Sequence, residues 1–438
     1  MKTNSLYRVL IVSCVFAFYS NNFKAQFFVS DTTITEVDKT VYQNTTAGEF
    51  TPGRGFLIAK NKFASLNISI YGMARYLNQT SPDTTWTNHL GETEVFDGRN
   101  DIYWHRAMVW FTGYVGSPKL TYMATVWTVT TTQQTLVYGN LKYSFNKYLA
   151  IGAGITPNAC IRSVQGSFPF FTSTDRTMAE EALRGGFTNG IFISGEALPR
   201  LYYMAALGNN LSILGVNASN LTRHFSTSIS LNYMPTTGEF GPRGGNGDFE
   251  YHEKIATRFG ASFCHSRENR FNNTGSPSPD NTQVRISDGT LFFETGALAP
   301  DVTVIEADYD LLAVDLGMKY KGFALHTEFY YRTLSAINAD GPIPLNKITD
   351  KGYTIQVLYM LVPKILCVYG VNSMVIDQFD RNPYEWGGGV NIYPLKTRSW
   401  RINVQAMKVY KTAAGGTFGL YSAGQTGTTF TIGTDILL

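Results

Sequence analysis

Charged side chains fall on one face of several segments that alternate apolar and polar residues. Successive side chains of a strand point to opposite sides, so alternation gathers these charges on a common surface. The basic members are Arg75, Arg106, Arg258, Lys319, Arg332 and Arg401, and the acidic members are Glu196, Asp315, Glu328 and Asp435. If that surface lines a narrow wet pore, the charges act as an electrostatic filter for ions. The alternative is that they pair across strands and fill a polar interior.

A second group of charges lies in the segment 157–187, between two predicted strands. It holds Arg162, Arg176 and Arg184 together with Asp175, Glu180 and Glu181. The stretch from Met178 to Arg184 is compatible with one or two helical turns. A loop of this kind folded into a pore would bring its charges to mid-channel, whereas an exposed loop would leave them in solvent. The aromatic patch Phe168, Phe170 and Phe171 favours burial, because bare phenylalanines on an outer surface are costly.

The remaining candidates for chemistry are weaker. The sequence has neither HExxH nor GxSxG, and its six histidines are scattered, so we predict neither catalysis nor a cofactor. Glu306, Asp308 and Asp310 form an acidic comb that suits either a calcium site or a solvated strand end. The glycine-rich stretch 241–247 lacks the Lys-Ser/Thr of a phosphate loop and indicates a flexible link. The cysteines at 160, 264 and 367 have no metal or redox spacing and are expected to be isolated thiols.

The elements that carry these residues alternate with a period of two. Between Phe225 and Met234 one face is Phe, Thr, Ile, Leu and Tyr, and the other is serine and asparagine. Between Phe323 and Arg332, Leu325 and Phe329 share the apolar face, whereas His326 and Glu328 share the polar one. In a large barrel the apolar face meets lipid and the polar face lines the lumen.

The lengths of the connections indicate how the strands are arranged. We predict sixteen strands: 65–77, 102–114, 119–129, 134–145, 147–156, 188–198, 200–207, 223–234, 254–264, 305–319, 322–334, 351–361, 364–374, 384–393, 398–410 and 427–438. Short turns occur at every second junction and long links at most of the others, apart from a short link at 130–133 and a long one at 235–253. Such alternation around an even number of strands is typical of a bacterial transmembrane barrel with both termini in the periplasm.

The start of the chain and its composition fit this class. Lys2 and Arg8 precede an apolar run from Val9 to Tyr19 that is too short to span a bilayer. This pattern predicts a signal peptide over 1–25. A periplasmic N-terminal segment, 26–63, and a barrel, 64–438, would follow. With the signal removed, 33 basic and 33 acidic residues remain, so no global charge attracts nucleic acid. An aromatic content of 14% suits the aromatic girdles of a membrane barrel.

Several short stretches, taken in order, resemble the phosphate-selective porins, the O/P-type outer-membrane porins. They are 106–113 (RAMVWFTG), 148–152 (YLAIG), 175–176 (DR), 190–195 (GIFISG), 328–331 (EFYY), 352–353 (GY) and 389–393 (GVNIY). The resemblance implies a trimeric sixteen-stranded barrel in the outer membrane. It also implies a third outer loop that folds inward as a constriction, and anion selectivity set by lumenal arginines and lysines.

The sequence therefore predicts an outer-membrane diffusion channel for small hydrophilic solutes, with a modest anion preference. The predicted selectivity residues are Arg162, Arg176, Arg184, Arg106, Arg258, Arg332, Arg401 and Glu328. Three alternatives remain open: a barrel enzyme, a structural or secretion-associated barrel without an open pore, and a channel specific for peptides or oligosaccharides. A concentrated aromatic track in the lumen would favour the last of these.

Overall fold

A computed structural model describes residues 55–131, 133–167, 171–211, 218–236, 245–273, 284–416 and 418–438. The predicted signal peptide, most of the segment 26–63, and Phe168 and Phe170 lie outside these residues. Within the described ranges, no helix combines the length and the apolar character that crossing a membrane would need.

Strands dominate the described residues. They are β1 (Phe56–Lys60), β2 (Ser65–Thr80), β3 (Thr85–Thr87), β4 (Thr93–Val95), β5 (Asn100–Val115), β6 (Ser117–Val129), β7 (Gln134–Ser144), β8 (Ala150–Pro157), β9 (Phe187–Leu198), β10 (Leu201–Gly208), β11 (Ser226–Tyr233), β12 (Ala256–Asn269), β13 (Val304–Tyr320), β14 (Phe323–Ala339), β15 (Ile348–Val362), β16 (Leu366–Ile376), β17 (Tyr384–Ile392), β18 (Trp400–Tyr410) and β19 (Gly427–Leu437). The helical elements are α1 (Met178–Leu183), a π-helical turn (Ser163–Ser167) and two 3₁₀ turns (Ala218–Asn220 and Arg270–Asn273).

Sixteen of these strands form one closed antiparallel barrel, which confirms the predicted fold class and all sixteen predicted strands. Each wall strand pairs with the next along the chain, and β19 closes the ring by pairing with β2. The short strand β1 adds to the beginning of β2, next to the end of β19. The strands β3 and β4 form a separate hairpin in the link between β2 and β5.

Turn lengths segregate between the two ends of the barrel as predicted. At one end, β5 and β6 are joined by Gly116 alone, β9 and β10 by 199–200, and β13 and β14 by 321–322. Gly116 has a φ of 71°, a backbone conformation that glycine adopts at no steric cost. The long links, such as 158–186 and 270–303, open at the other end. The exceptions at 130–133 and 234–255 are also as expected.

The two faces of each strand differ in exposure as the alternation predicts. Ile229 and Leu231 are 47% and 45% exposed, whereas Ser228 and Ser230 are buried. Exposed aromatic side chains concentrate near both ends of the barrel wall, as expected for rings that anchor at membrane interfaces. Near the short turns they are Tyr143, Phe145, Tyr148, Tyr233, Phe259, Tyr320 and Tyr359; near the long links they are Tyr103, Trp104, Phe225, Tyr331, Tyr384 and Trp386.

We expect cysteine labelling in membranes to report these faces. Because the side-chain period is two, a register error of one residue would exchange the two faces together. In Leu231→Cys protein the thiol meets lipid, so a membrane-impermeant maleimide should not label it. In matched Ser230→Cys protein the thiol faces the interior, and labelling should appear once the barrel is unfolded. Labelling of Leu231→Cys in intact membranes would reverse the assignment.

The interior of the barrel is not uniformly polar, and here the prediction of a polar lumen is wrong in part. On β2, β5 and β6 the inward side chains form an apolar wall: Tyr71, Met73, Met108, Trp110, Met123 and Trp127. These residues pack with Phe171 and Phe418, which belong to links folded into the barrel. Their side chains therefore form a protein core, although buried polar residues such as Arg75, Arg106 and Thr125 share the same inward faces.

Candidate pore constriction

The link between β8 and β9, residues 158–186, runs through the inside of the barrel; we call it the inner loop. It touches one wall strand after another. Near its start Ala159 N donates to Ser228 Oγ of β11 (3.1 Å), and further along Thr174 N donates to Gln405 Oε1 of β18 (3.2 Å). Except for Glu181, each of its residues whose burial is described is buried. This confirms that the segment folds inward, as the sequence predicts.

The helix α1 lies in the second half of the inner loop. Thr177 caps its N-terminus in a capping box with Glu180, which satisfies backbone N–H groups that the first turn leaves without partners. Met178 N donates to Glu385 Oε1 of β17 (2.7 Å), and Tyr309 Oη of β13 donates to Leu183 O (2.7 Å). The sequence therefore locates this helix correctly, and the wall fixes both of its ends.

Three of the predicted wall arginines are paired with a carboxylate on a neighbouring strand. Arg258 Nε lies 2.7 Å from Asp315 Oδ1, Arg332 Nη2 lies 2.6 Å from Asp350 Oδ2, and Arg401 Nη2 lies 2.8 Å from Asp435 Oδ2. All six side chains are buried. Each pair is neutral as a unit, which is the cross-strand alternative that the sequence leaves open.

Two of these arginines also hold the inner loop. Arg332 Nη1 donates to Ala182 O (3.1 Å), and Arg401 Nη1 donates to Phe171 O (2.7 Å). A guanidinium has five N–H donors in a fixed plane, so it can bond a wall carboxylate and a loop carbonyl together. Arg332 and Arg401 therefore hold the inner loop in position as well as placing charge beside it.

The fourth wall arginine, Arg106, meets the inner loop through a carboxylate. Its guanidinium bonds to Asp175, and Arg75 Nη1 lies 3.8 Å from the same carboxylate. A β-bulge at His105 turns both His105 and Arg106 toward the interior, because the extra residue interrupts the alternation. His105 Nε2 hydrogen-bonds Phe418 O (2.8 Å), whereas strict alternation with an inward Arg106 would turn His105 toward lipid. This site holds two guanidinium groups against one carboxylate.

Arg176 and Arg184 share Glu181 in the same way. Arg184 Nε lies 3.0 Å from Glu181 Oε2, and Arg176 Nη1 lies 3.8 Å from that oxygen. Burial alone raises the pKa of the Glu181 carboxyl, but the charges of Arg184 and Arg176 outweigh it and hold the pKa below its usual value. The carboxylate therefore stays ionised, and this second site also carries one positive charge in excess.

Arg162 and Glu328 belong to a third cluster, with Glu180 and His326. The ligand-type atoms of Glu180, His326 and Glu328 lie within 4.8 Å of one another. Each already has a partner: Thr177 N donates to Glu180 Oε2 (2.9 Å), Arg162 N donates to Glu328 Oε1 (2.9 Å), and the Arg162 guanidinium contacts His326 Nδ1. The positive charge of the Arg162 guanidinium disfavours a metal ion here, so the cluster is best described as a hydrogen-bond network.

Two further expectations can be compared with the geometry. Arg267 pairs with Glu306 (3.1 Å) and with Asp308 (2.7 Å), which is the solvated alternative for the acidic comb and leaves no carboxylate cage for calcium there. The three described cysteines are free and buried, as expected. Cys160 of the inner loop and Cys264 of β12 nevertheless lie in the same cluster of packed side chains inside the barrel.

The outer mouth carries a cavity of about 470 Å³. Trp86 and Phe96 line it on one side, and Arg381 and Lys411 contribute positive charge. The guanidinium of Arg381 lies 5.7 Å from the centre of the Trp86 ring. Aromatic surface beside cations offers a solute with polar or anionic groups a first contact above the constriction.

No protein-family model matches this sequence, and no curated protein matches it. Several solved barrels are similar in structure. Outer-membrane expressed OmpT of Vibrio cholerae has a TM-score of 0.53 at 11% identity, with 87% of this chain and 100% of that chain covered. Salmonella typhi OmpF in complex with daunomycin has 0.48 at 12%, covering 87% and 100%. The anion-selective porin from Comamonas acidovorans has 0.48 at 10%, covering 86% and 100%.

At these identities the similarity concerns the fold alone. The closed barrel, the exposed apolar faces of its strands and the exposed aromatic side chains near both ends define the class. This chain is a bacterial outer-membrane β-barrel protein. Outer-membrane lipid is therefore its surroundings, as the sequence predicts.

Proposed function

We propose that this protein is a porin-type diffusion channel for small hydrophilic solutes, with the inner loop as its constriction. The observation that carries the proposal is the inner loop itself, bonded to wall strands from β11 to β18 and charged along its length.

We expect a narrow channel. Arg106, Arg258 and Arg332 are at most 1% exposed, so water does not reach them in this conformation. Purified protein in a planar bilayer should give small, discrete conductance steps, because ions pass only where the inner loop leaves or opens a path. A folded barrel that inserts and never conducts would favour the structural, closed barrel instead.

The selectivity proposal rests on the two sites that carry excess positive charge. Arg75 and Arg106 oppose Asp175, and Arg176 and Arg184 oppose Glu181, whereas the remaining wall arginines are balanced. The resulting anion preference is modest. It weakens at high salt, because screening acts over about 8 Å at physiological ionic strength.

Replacing Arg176 and Arg184 together with glutamine should move the zero-current potential toward cation selectivity. The change leaves Glu181 without its two cations and turns a local excess of positive charge into a negative one. Reversal potentials in a salt gradient at low ionic strength measure the shift. Arg398→Gln is the control, since Arg398 pairs with Glu250 (3.4 Å) at the end of the barrel that carries the short turns. An unchanged potential would remove the inner loop from the selectivity filter.

A channel specific for oligosaccharides or peptides is the second candidate, and the apolar wall favours it. Trp110 and Trp127 lie on that wall, and Trp110 Nε1 has no hydrogen-bond partner among the described residues. Aromatic faces with free donors suit a sugar or peptide that displaces the inner loop. Block of conductance by oligosaccharides, at concentrations that leave ion flow through a Trp110→Leu variant unaffected, would distinguish this candidate.

The remaining attributes follow from the proposal. We expect a homotrimer, as the family resemblance implies, and cross-linking in membranes with mass analysis tests it. The proposed channel needs no cofactor and no catalytic residue. Turnover of lipid or peptide substrates by the purified barrel would favour the enzyme alternative.

A further inference from the structure

The thiols of Cys160 and Cys264 come together from segments that are distant in the sequence. Cys160 lies three residues after the end of β8, in the inner loop, and Cys264 faces inward on β12. Both side chains are fully buried and belong to one cluster of packed side chains inside the barrel. The backbone is held in place around them: Ser262 Oγ, two residues before Cys264, donates to Cys160 O (2.6 Å).

The compartment makes this contact consequential. An outer-membrane protein passes through the bacterial periplasm, where disulfides form and persist. Two cysteines that the fold brings into contact there have a route to oxidation that a cytosolic pair lacks. The third described cysteine, Cys367 on β16, donates to Val368 O (3.6 Å) and provides an internal reference.

We propose that Cys160 and Cys264 form a disulfide that ties the start of the inner loop to the barrel wall. Both thiols give up their protons, the two sulfurs bond, and the two electrons reduce the disulfide of a periplasmic thiol oxidant to its dithiol. The exchange takes place during assembly, before the loop is enclosed, since both sulfurs are inaccessible in the finished barrel.

The surroundings of Cys160 hold its sulfur in place once the inner loop is enclosed, because Gly185 N donates to Cys160 Sγ (3.0 Å). The bridge closes a loop of roughly 100 residues, a length at which a cross-link strongly restricts the unfolded chain.

Thiol counting on the whole protein tests the proposal. Protein extracted from outer membranes is denatured with an alkylating reagent, without reductant. One alkyl group, on Cys367, is expected, with three after reduction and a peptide pair linked through Cys160 and Cys264. Boiled, unreduced protein should also migrate faster on a gel than reduced protein. Three alkylated thiols without reductant would overturn the proposal.

Matched variants separate the bridge from general effects on folding. Cys264→Ser should leave Cys160 and Cys367 both alkylated without reductant and abolish the mobility difference. Cys367→Ser should leave no reactive thiol and keep the difference. A mobility difference that survives Cys264→Ser would contradict the pairing. These readouts do not depend on conductance, so the disulfide and the channel function succeed or fail separately.

Discussion

Asp175→Asn should open the channel and destabilise the barrel. Asp175 is the carboxylate that the inner loop places against Arg106 and Arg75, both buried in the wall. Removing its charge takes away the carboxylate that both enclosed guanidinium groups approach. Breaking one partner of a buried pair costs about 3–5 kcal/mol. The barrel can relieve that cost by releasing the loop into solvent, which lets water reach the arginines. Single-channel conductance should therefore rise and the melting temperature should fall.

The control for this prediction is Glu250→Gln. Glu250 also pairs with an arginine, Arg398, at 3.4 Å, but its side chain is 52% exposed and lies near the short turns. Exposed pairs contribute little to stability, so this variant should behave like the parent protein. Should Asp175→Asn leave both conductance and melting temperature unchanged, the salt bridge to Arg106 does not hold the loop.

Excising the inner loop should raise the conductance several-fold while the wall still closes. Pro157 and Phe187 are paired across β8 and β9, so a two-residue Asn-Gly turn can join the strands directly. The wall tolerates the loss because the pairs of Arg258, Arg332 and Arg401 lie within it. Arg75 and Arg106 lose Asp175 and gain water instead. Anion preference should strengthen in the excised barrel, since these two cations then face an open lumen.

A matched excision tests whether loop length alone matters. Residues 340–347 join β14 and β15 at the same end of the barrel and are mostly exposed or half-exposed. Shortening this link should leave conductance near the parent value. An excised inner loop that gives a folded barrel with parental conductance would show that the solute path lies elsewhere.

The sequence predicts the wall well because the wall depends on local pattern. Alternation decides which face of a strand meets lipid, and a slip of one residue would invert a whole strand. For that reason Leu231 and Ser230, or Phe329 and Glu328, lie where the alternation places them. The inward fold of the inner loop could also be predicted, since its charges and phenylalanines suit neither lipid nor the outer surface.

The sequence could not predict which residues form ion pairs with each other. Asp350 lies 18 residues beyond Arg332, and the register of β14 and β15 brings the two together. Asp175 lies 69 residues beyond Arg106, and the path of the inner loop brings it to that arginine. The bulge at His105 breaks the alternation locally and leaves no clear mark in the sequence. The apolar wall, by contrast, is visible in the sequence: Met108 to Phe111 is apolar on both faces, which indicates burial on both sides. The Cys160–Cys264 contact depends on the path of the inner loop, and spacing carries no information about it.

The short strand β1 bears on how the barrel finds its register. It occupies the edge of β2 from Ser65 to Ile68, directly beyond the point where Leu438 exchanges hydrogen bonds with Ile70. Because β1 already pairs with the backbone of β2 there, a register of β19 shifted toward the start of β2 would have to displace β1. The hairpin of β1 and β2 thus disfavours such shifted closures of the barrel.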